Sequence, residues 1–477
     1  MQPISRRSAL VLGGVGAAGV LTGAAGLISG WTPGLAPATR GEFFEPKALR
    51  SADGTLKLRL IAAAGSVRIG GQNSAVLSYN GGVPGPTLFL RPGDLLRVTL
   101  DNQLSDTTNL HVHGLHVSPE GNSDNVLLSI EPGATFDYEY QLPQNHPRGV
   151  YWYHPHHHGT VAEQVFGGLY GAIIVEDTDA TPVARERVLV ISDITVDAGG
   201  KVPGASPMDR MMGREGTMVL VNGQLDPHMT SEGSARERWR VVNACASRYL
   251  KLRLDGQKVQ LLGIDSGRFA QPQDVEEVVL APGNRADLLV TMVAGRSVLR
   301  TLTVDRGGMG MMGGSAASSG ADLLTLDVAS PATTSTPLPV PEQVAPRDLR
   351  NEPVAGRREL TFAMGMGMGA GMMSFTIDGK AFDHTRVDTV VQAGAIEEWT
   401  LTNTTPMDHP VHLHVWPMQI VGPSRNGPPE WQDVVNVPAF SSVTVRIPFE
   451  GFTGKTVYHC HILDHEDAGM MGIIEVR

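Results

Sequence analysis

Short apolar, β-branched runs separated by turn-forming segments follow one another along this chain, and no long stretch carries the spacing of an amphipathic helix. Three of the runs echo one another: RVTLDN (97–102), RWRVVN (238–243) and EWTLTN (398–403). Each follows a turn-and-charge segment, RPGD, SARE or AGAIEE. A Greek-key sandwich strand repeated once per domain would produce this echo. With 477 residues, 56 Gly and 32 Pro, the chain has material for about three domains and is expected to be all-β with many turns.

The approach to the C-terminus, VYHCHI (457–462), predicts an extended segment. Side chains alternate along a strand, so Cys460 faces one way while His459 and His461 face the other. His465 and Met470 follow. A soft thiolate, an imidazole and a thioether at this spacing, joined by a histidine from elsewhere, make the His₂Cys site with a weak axial Met that holds blue copper. Three further His-x-His pairs lie upstream: His111 and His113, His154 and His156, and His412 and His414, the last preceded by His409. Residues i and i+2 of a strand share a face about 7 Å apart, which suits two neighbouring metals. A single pair could be incidental in a partly buried strand. Four pairs, one of them flanking the cysteine, are not. One residue of backbone would then join a metal on Cys460 to the metals of the histidine pairs, an arrangement for moving electrons.

On these motifs the chain resembles the multicopper oxidases, particularly the bacterial laccases and periplasmic cuprous oxidases, over roughly residues 45–477. The resemblance implies three cupredoxin-like Greek-key β-sandwich domains and four coppers per chain. His409, Cys460, His465 and Met470 match the type 1 copper ligands, and His111 and His412 the type 2 ligands. His113, His154 and His461 match one type 3 copper, and His156, His414 and His459 the other. It also implies that electrons enter at the type 1 copper and that dioxygen is reduced to water at the trinuclear cluster. The expected division is domain one over 45–179, domain two over 183–328, a linker over 329–355 and domain three over 356–477. Domains one and three carry all the ligand motifs. The cluster is therefore expected between them, with domain two as a spacer.

Two acids stand near the motifs. Glu466 directly follows His465, where relatives keep a carboxylate on the cluster's proton path. Asp124 follows the first pair, near where relatives keep an acid, and Glu120 competes for that place. Reduction of dioxygen consumes protons, so a carboxylate in reach of the cluster has chemical work to do. His158 shares the strand parity of His154 and His156 and is expected to support them, whereas His116 and His157 read as ordinary loop histidines.

Eleven of the 19 methionines fall in three Gly-rich patches: Met208, Met211 and Met212; Met309, Met311 and Met312; and Met364, Met366, Met368, Met372 and Met373. Thioethers favour Cu(I), although a Gly-Met loop can also be a low-complexity segment without binding function. Cuprous-ion oxidases of the family keep Met two residues and Asp four residues before the type 1 His. Met407 matches, but the Asp position is Thr405, with Asp408 a displaced substitute. Cuprous ion is the first substrate expected, with a role in copper tolerance. Phenols or aromatic amines, as in laccases, are the alternative. A non-enzymatic Met-rich copper-sequestering protein would have no need of a His-Cys-His bridge.

Residues 1–38 read as a twin-arginine export signal, with Arg6 and Arg7 ahead of a glycine-interrupted apolar run and APA at 36–38 as a cleavage site. The alternative is a membrane anchor. With cleavage, a periplasmic, cell-envelope or secreted monomer without stable membrane insertion is expected. The formal charge of −11 argues against nucleic acid and favours cationic small substrates. Of the two cysteines, Cys245 has no partner once Cys460 binds copper and is expected to pack as a small buried residue.

Overall fold

The computed structural model describes residues 41–477 except 178–180, 310–313, 332–339, 341–342, 367–372 and 423–426. The export-signal region 1–38, Met311, Met312, Met368, Met372 and most of the stretch 330–341 lie outside the described residues, as do the side chains of Met309, Met366 and Met373.

Among the described residues the architecture is three β-sandwiches in series. Sheets of five and four strands form the first, six and five the second, and six and five the third. Each echoed run sits in the same place in its sandwich. Strand Leu95–Gln103 pairs parallel with Thr55–Ile69 and antiparallel with Thr135–Gln141. Arg236–Asn243 does the same with Arg185–Ile194 and Arg285–Thr291, and Ile396–Asn403 with Gly356–Met366 and Ser442–Pro448. The shared apolar positions of these strands are buried: Val98 and Leu100, Trp239 and Val241, and Trp399 and Leu401.

The asparagine that ends each run explains why the echo includes a polar residue. Asn102 donates from Nδ2 to the carbonyls of Asp106 and Ile130 and accepts the Leu104 N–H. Asn243 bonds the carbonyls of Arg248 and Leu280 and the N–H of Cys245. Asn403 bonds the carbonyls of Met407 and Val437 and the N–H of Thr405. A buried amide thus satisfies the backbone where each chain leaves its central strand, a corner that would otherwise strand polar groups in the core.

Each sandwich has its own apolar core, and a fourth cluster joins the first to the second. That cluster packs Trp152, Val165 and Ile174 against Val188, Val190 and Val242, with Leu463 of the third sandwich reaching in. Cys245 is buried, as expected of a small apolar residue, and its N–H is held by Asn243.

In the third sandwich the asparagine corner leads straight to His409. Asn403→Ala should therefore destabilise the fold by about 1–3 kcal/mol for each buried group left unsatisfied, and also shift the absorption of the Cys460 pocket. Asn102→Ala should cost similar stability and leave that absorption unchanged. Denaturation midpoints and visible spectra of the copper-loaded variants separate the two effects.

Candidate metal centres

Strand Gly454–Cys460 carries the two sites on its two faces. It pairs with strand His409–Leu413, matching Val411 to Cys460 and His412 to His459. On one face Cys460 Sγ lies 3.3 Å from His409 Nδ1 and 3.9 Å from His465 Nδ1, all fully buried. Met470 is buried in the same core cluster as Cys460, and the loop between them closes on itself: Cys460 N–H donates to the Met470 carbonyl and Met470 N–H to the His465 carbonyl. His465 Nε2–H donates to the Met211 carbonyl at 3.1 Å. A carbonyl can only accept, so His465 Nδ1 turns a lone pair toward the sulfur. Phe375 stacks on the His465 ring at 4.2 Å, and His409 Nε2 meets the Thr405 hydroxyl at 2.9 Å. Asp408 bonds Asn436 and the Ala439 N–H instead, so its carboxylate braces a turn.

On the other face eight buried histidines from the first and third sandwiches meet. In the first, cross-strand register puts His111 opposite His154. The two sandwiches then face each other histidine to histidine, with His113 stacked on His412 at 3.8 Å and His111 on His414 at 3.9 Å. The Nε2 atoms of His156 and His414 lie 3.1 and 3.2 Å from His459 Nε2. The His113 and His461 rings are 5.0 Å apart, with His154 5.8 Å from His461. The turn after His113 has positive φ, 84° at Gly114, and so does the turn after His414, 74° at Val415, where a β-branched residue is strained.

These residues fit a set of cations. His154, His412 and His459 each donate from Nδ1 to a backbone carbonyl, which leaves Nε2 a lone pair. His111 Nε2, His113 Nδ1, His154 Nε2, His412 Nε2, His414 Nδ1 and both nitrogens of His461 are buried without a hydrogen-bond partner. Burial, reinforced by neighbouring histidines at all of these positions except His459, pushes their pKa values down, so the rings are neutral and available as ligands. Buried lone pairs facing one another are unfavourable unless a metal lies between them. Burial likewise raises the pKa of the Cys460 thiol, so a thiolate there calls for a cation.

Carboxylates orient the rings. Asp124 lies 2.9 and 3.0 Å from His111 Nδ1 and accepts the Val112 N–H, while Glu120 is exposed elsewhere. Burial raises Asp124 to about 8. Glu466 has one oxygen 3.1 Å from His459 Nδ1 and the other 3.6 Å from His156 Nε2, and burial raises it to about 7. It lies on a one-turn helix, Leu463–Asp467, that serves every neighbour in turn. The Leu463 N–H donates to the Ala246 carbonyl, Asp464 accepts the Arg214 N–H, and Asp467 accepts N–H groups of Gly159, Val161 and Ala162. His158 makes no hydrogen bond to a cluster ring. It packs on Phe382 at the wall of a 470 Å³ cavity that His156 also lines, beside His157, whose Nε2 meets the Ser129 hydroxyl. His116 donates from Nδ1 to the Val415 carbonyl and is half-buried.

The sequence reading missed the second sandwich's part in the cluster. Arg285 is fully buried and grips both oxygens of Asp433 at 2.5 and 2.6 Å while its Nε donates to the Val150 carbonyl. Asp433 in turn accepts His113 Nε2–H at 3.1 Å, and its carbonyl accepts His412 Nδ1–H at 2.7 Å. Asp265 accepts the Asp433 and Val434 N–H groups. A side chain at Gly283 would collide with the His461 ring, its Cβ 2.8 Å from Nε2. The second sandwich is therefore more than a spacer. Charged residues in the turn APGNRAD (281–287) and in the apolar run QDVVNV (432–437) were the signals available.

Comparisons with known proteins agree with this geometry. Family models described as multicopper oxidase match residues 62–180, 185–298 and 355–477. A multicopper oxidase from Campylobacter jejuni, described as a metallo-oxidase, superposes with a TM-score of 0.81 at 30% identity, over 92% of this chain and 96% of that one. The multicopper oxidase mco of Staphylococcus haemolyticus is 27% identical over 84% of each chain, and the laccase of Bacillus subtilis 25% identical over 83% of this chain and 89% of its own. The chain belongs to the multicopper oxidase family. It is a copper-dependent oxidoreductase with dioxygen as acceptor and four coppers, one type 1, one type 2 and two type 3.

Arg285→Met keeps an unbranched stem without the guanidinium and strands Asp433 as a buried carboxylate without its cation, a change worth about 3–5 kcal/mol. Copper content should fall below four per chain while the blue colour persists. Adding Asp433→Asn should restore part of the loss, and Arg285→Lys should lie between. Metal analysis beside the visible spectrum checks this, and full occupancy in Arg285→Met would mean the clamp has no part in holding the cluster.

Proposed function

We propose that this enzyme oxidises cuprous ion, is exported, and serves copper tolerance. The observation that carries this reading is that described residues in or beside the Met-rich segments meet the pocket of His409 and His465. The capped helix Pro207–Met212 holds Met208, Met211 and Met212, and the Met211 carbonyl bonds His465. Strand Met373–Ile377 supplies Phe375, stacked on the same ring. Strand Val304–Met309 reaches the pocket by a bridge from Gly307 to Met407, two residues before His409. Three segments far apart in sequence, each carrying or flanking a Met-rich run, thus have a described residue beside the His409 and His465 pocket, and a soft ion recruited there would find thioethers. Arg6 and Arg7 support twin-arginine export, and no helix among the described residues is long and apolar enough to cross a membrane. The domain limits proposed are 45–179, 183–328 and 356–477.

In this reading His409, Cys460, His465 and Met470 hold the type 1 copper, and His111 and His412 the type 2 copper. His113, His154 and His461 hold one type 3 copper, and His156, His414 and His459 the other. Copper supplies the one-electron couple and the place where O₂, four electrons and four protons become two waters. Single peptide units join Cys460 to His459 and His461, giving a covalent path between the two faces. Glu466, beside His459 and His156, moves protons, and Asp124 holds His111 with Nε2 turned inward. Dioxygen reaches His156 through the 470 Å³ cavity.

Steady-state rates for cuprous ion and for a phenol, on one copper-loaded preparation, test the substrate. Replacing Met208, Met211 and Met212 with Leu, or Met364, Met366, Met368, Met372 and Met373 with Leu, keeps bulk but removes the sulfur lone pairs. Cuprous oxidation should fall severalfold with phenol oxidation and copper content unchanged. Undiminished cuprous oxidation would favour the laccase reading instead.

Glu466→Gln keeps size but carries no exchangeable acid proton. Turnover measured by O₂ consumption should drop, while anaerobic bleaching of the blue band by substrate keeps its rate. Equal slowing of both would assign the defect to electron entry and exclude Glu466 from proton transfer.

A further inference from the structure

A cavity of about 600 Å³ lies where the three sandwiches meet, and none of the four residues of the Cys460 pocket lines it. That size is typical of a small-molecule site. Its charges are nearly all satisfied by one another. Arg268 pairs with Asp177 at 2.8 Å and with Asp287 at 3.0 Å, and Arg347 with Glu352 and Glu450 at 2.6 and 3.0 Å. Arg148 is the exception: among the described residues its guanidinium has no ion pair or hydrogen bond, and its Nε is buried without a partner. A half-buried guanidinium left unpaired in a concave site is an anion receptor, offering forked donors to a carboxylate.

The rest of the wall selects the body of the ligand. Trp416 and Trp431 both line the cavity, and both indole N–H groups are already engaged, by the Glu450 and Arg347 carbonyls at 2.9 Å each. They therefore present ring surface and no donor. His116 and His146, also in the wall, donate from Nδ1 to the Val415 and Pro147 carbonyls. We infer that this cavity binds a planar aromatic monoanion, its carboxylate on Arg148 and its ring against Trp431. The inner wall includes Gly114, where a Cβ would lie 2.4 Å from Arg285 Nη2 and 2.8 Å from Asp433 Oδ2. The bound ligand thus sits one residue from the clamp on His113, on the side of the molecule that handles dioxygen.

Benzoate is the probe, added to the copper-loaded full chain and followed by titration calorimetry. One benzoate per chain is expected. Arg148→Gln should weaken it by at least about tenfold, the worth of one charge-assisted hydrogen bond, with Arg148→Lys weakened less. Trp431→Leu should weaken it severalfold, and benzylamine, of the same shape and opposite charge, should not bind. Copper content and the blue band should match the parent in all three variants. Saturating benzoate should leave anaerobic bleaching by substrate unchanged. The inference is overturned if the parent shows no saturable binding, if acetate binds as well as benzoate, if Arg148→Gln binds like the parent, or if benzoate competes with the electron donor.

Discussion

Eight neutral imidazoles turned toward one buried space are the constraint on which this structure depends. His111, His113, His154, His412 and His459 each commit one nitrogen to a carbonyl or carboxylate, and unpartnered nitrogens of the group, both of those on His461 among them, are buried at the join between the first and third sandwiches. Without cations that join would hold several unsatisfied polar atoms, each a cost of about 1–3 kcal/mol. With copper it becomes a contact in which both sandwiches supply ligands. Metal binding and the association of the two sandwiches are therefore one free energy.

The fold supplies this join by repetition. The same strand, with the same asparagine corner, recurs in each sandwich, and in the first and third it leads to a His-x-His turn. The second sandwich keeps the corner and carries the histidine-free strand Leu250–Leu254 after it. Gly283 lies against His461, and Arg285 is tied to Asp433. A domain without ligand motifs thus sets the tautomer of His113 and His412 by supporting the one residue that bonds both.

The Cys460 pocket and the histidine cluster are kept apart by the alternation of one strand and rejoined by one helical turn. Cys460 faces the pocket of His409 and His465, and its neighbours face the cluster. Residues Leu463–Asp467 then touch the second sandwich, the Met211 carbonyl, the cluster and the first sandwich in succession. Such a turn links the position of the His465 imidazole to that of Glu466, a buried acid beside the cluster.

The sequence by itself determined the candidate donor residues and the fold class. His, Cys and Met at period two and at fixed short offsets carry a chemistry that few other arrangements share, and the echoed strands counted the sandwiches. Only the tertiary structure decided which nitrogen of His111, His113, His412 and His465 is left free for a metal, because that follows from Asp124, Asp433 and the Met211 carbonyl, which lie elsewhere in the chain. The roles of Arg285 and Gly283 were hidden for the same reason: their partners lie in other sandwiches, and no local spacing marks them. The helix at Leu463–Asp467 was illegible because one turn is too short to show a period, and contacts to three sandwiches hold it. The methionine patches were visible as composition, but the contact of the Met211 carbonyl with His465 arises from the packing of the second sandwich against the third.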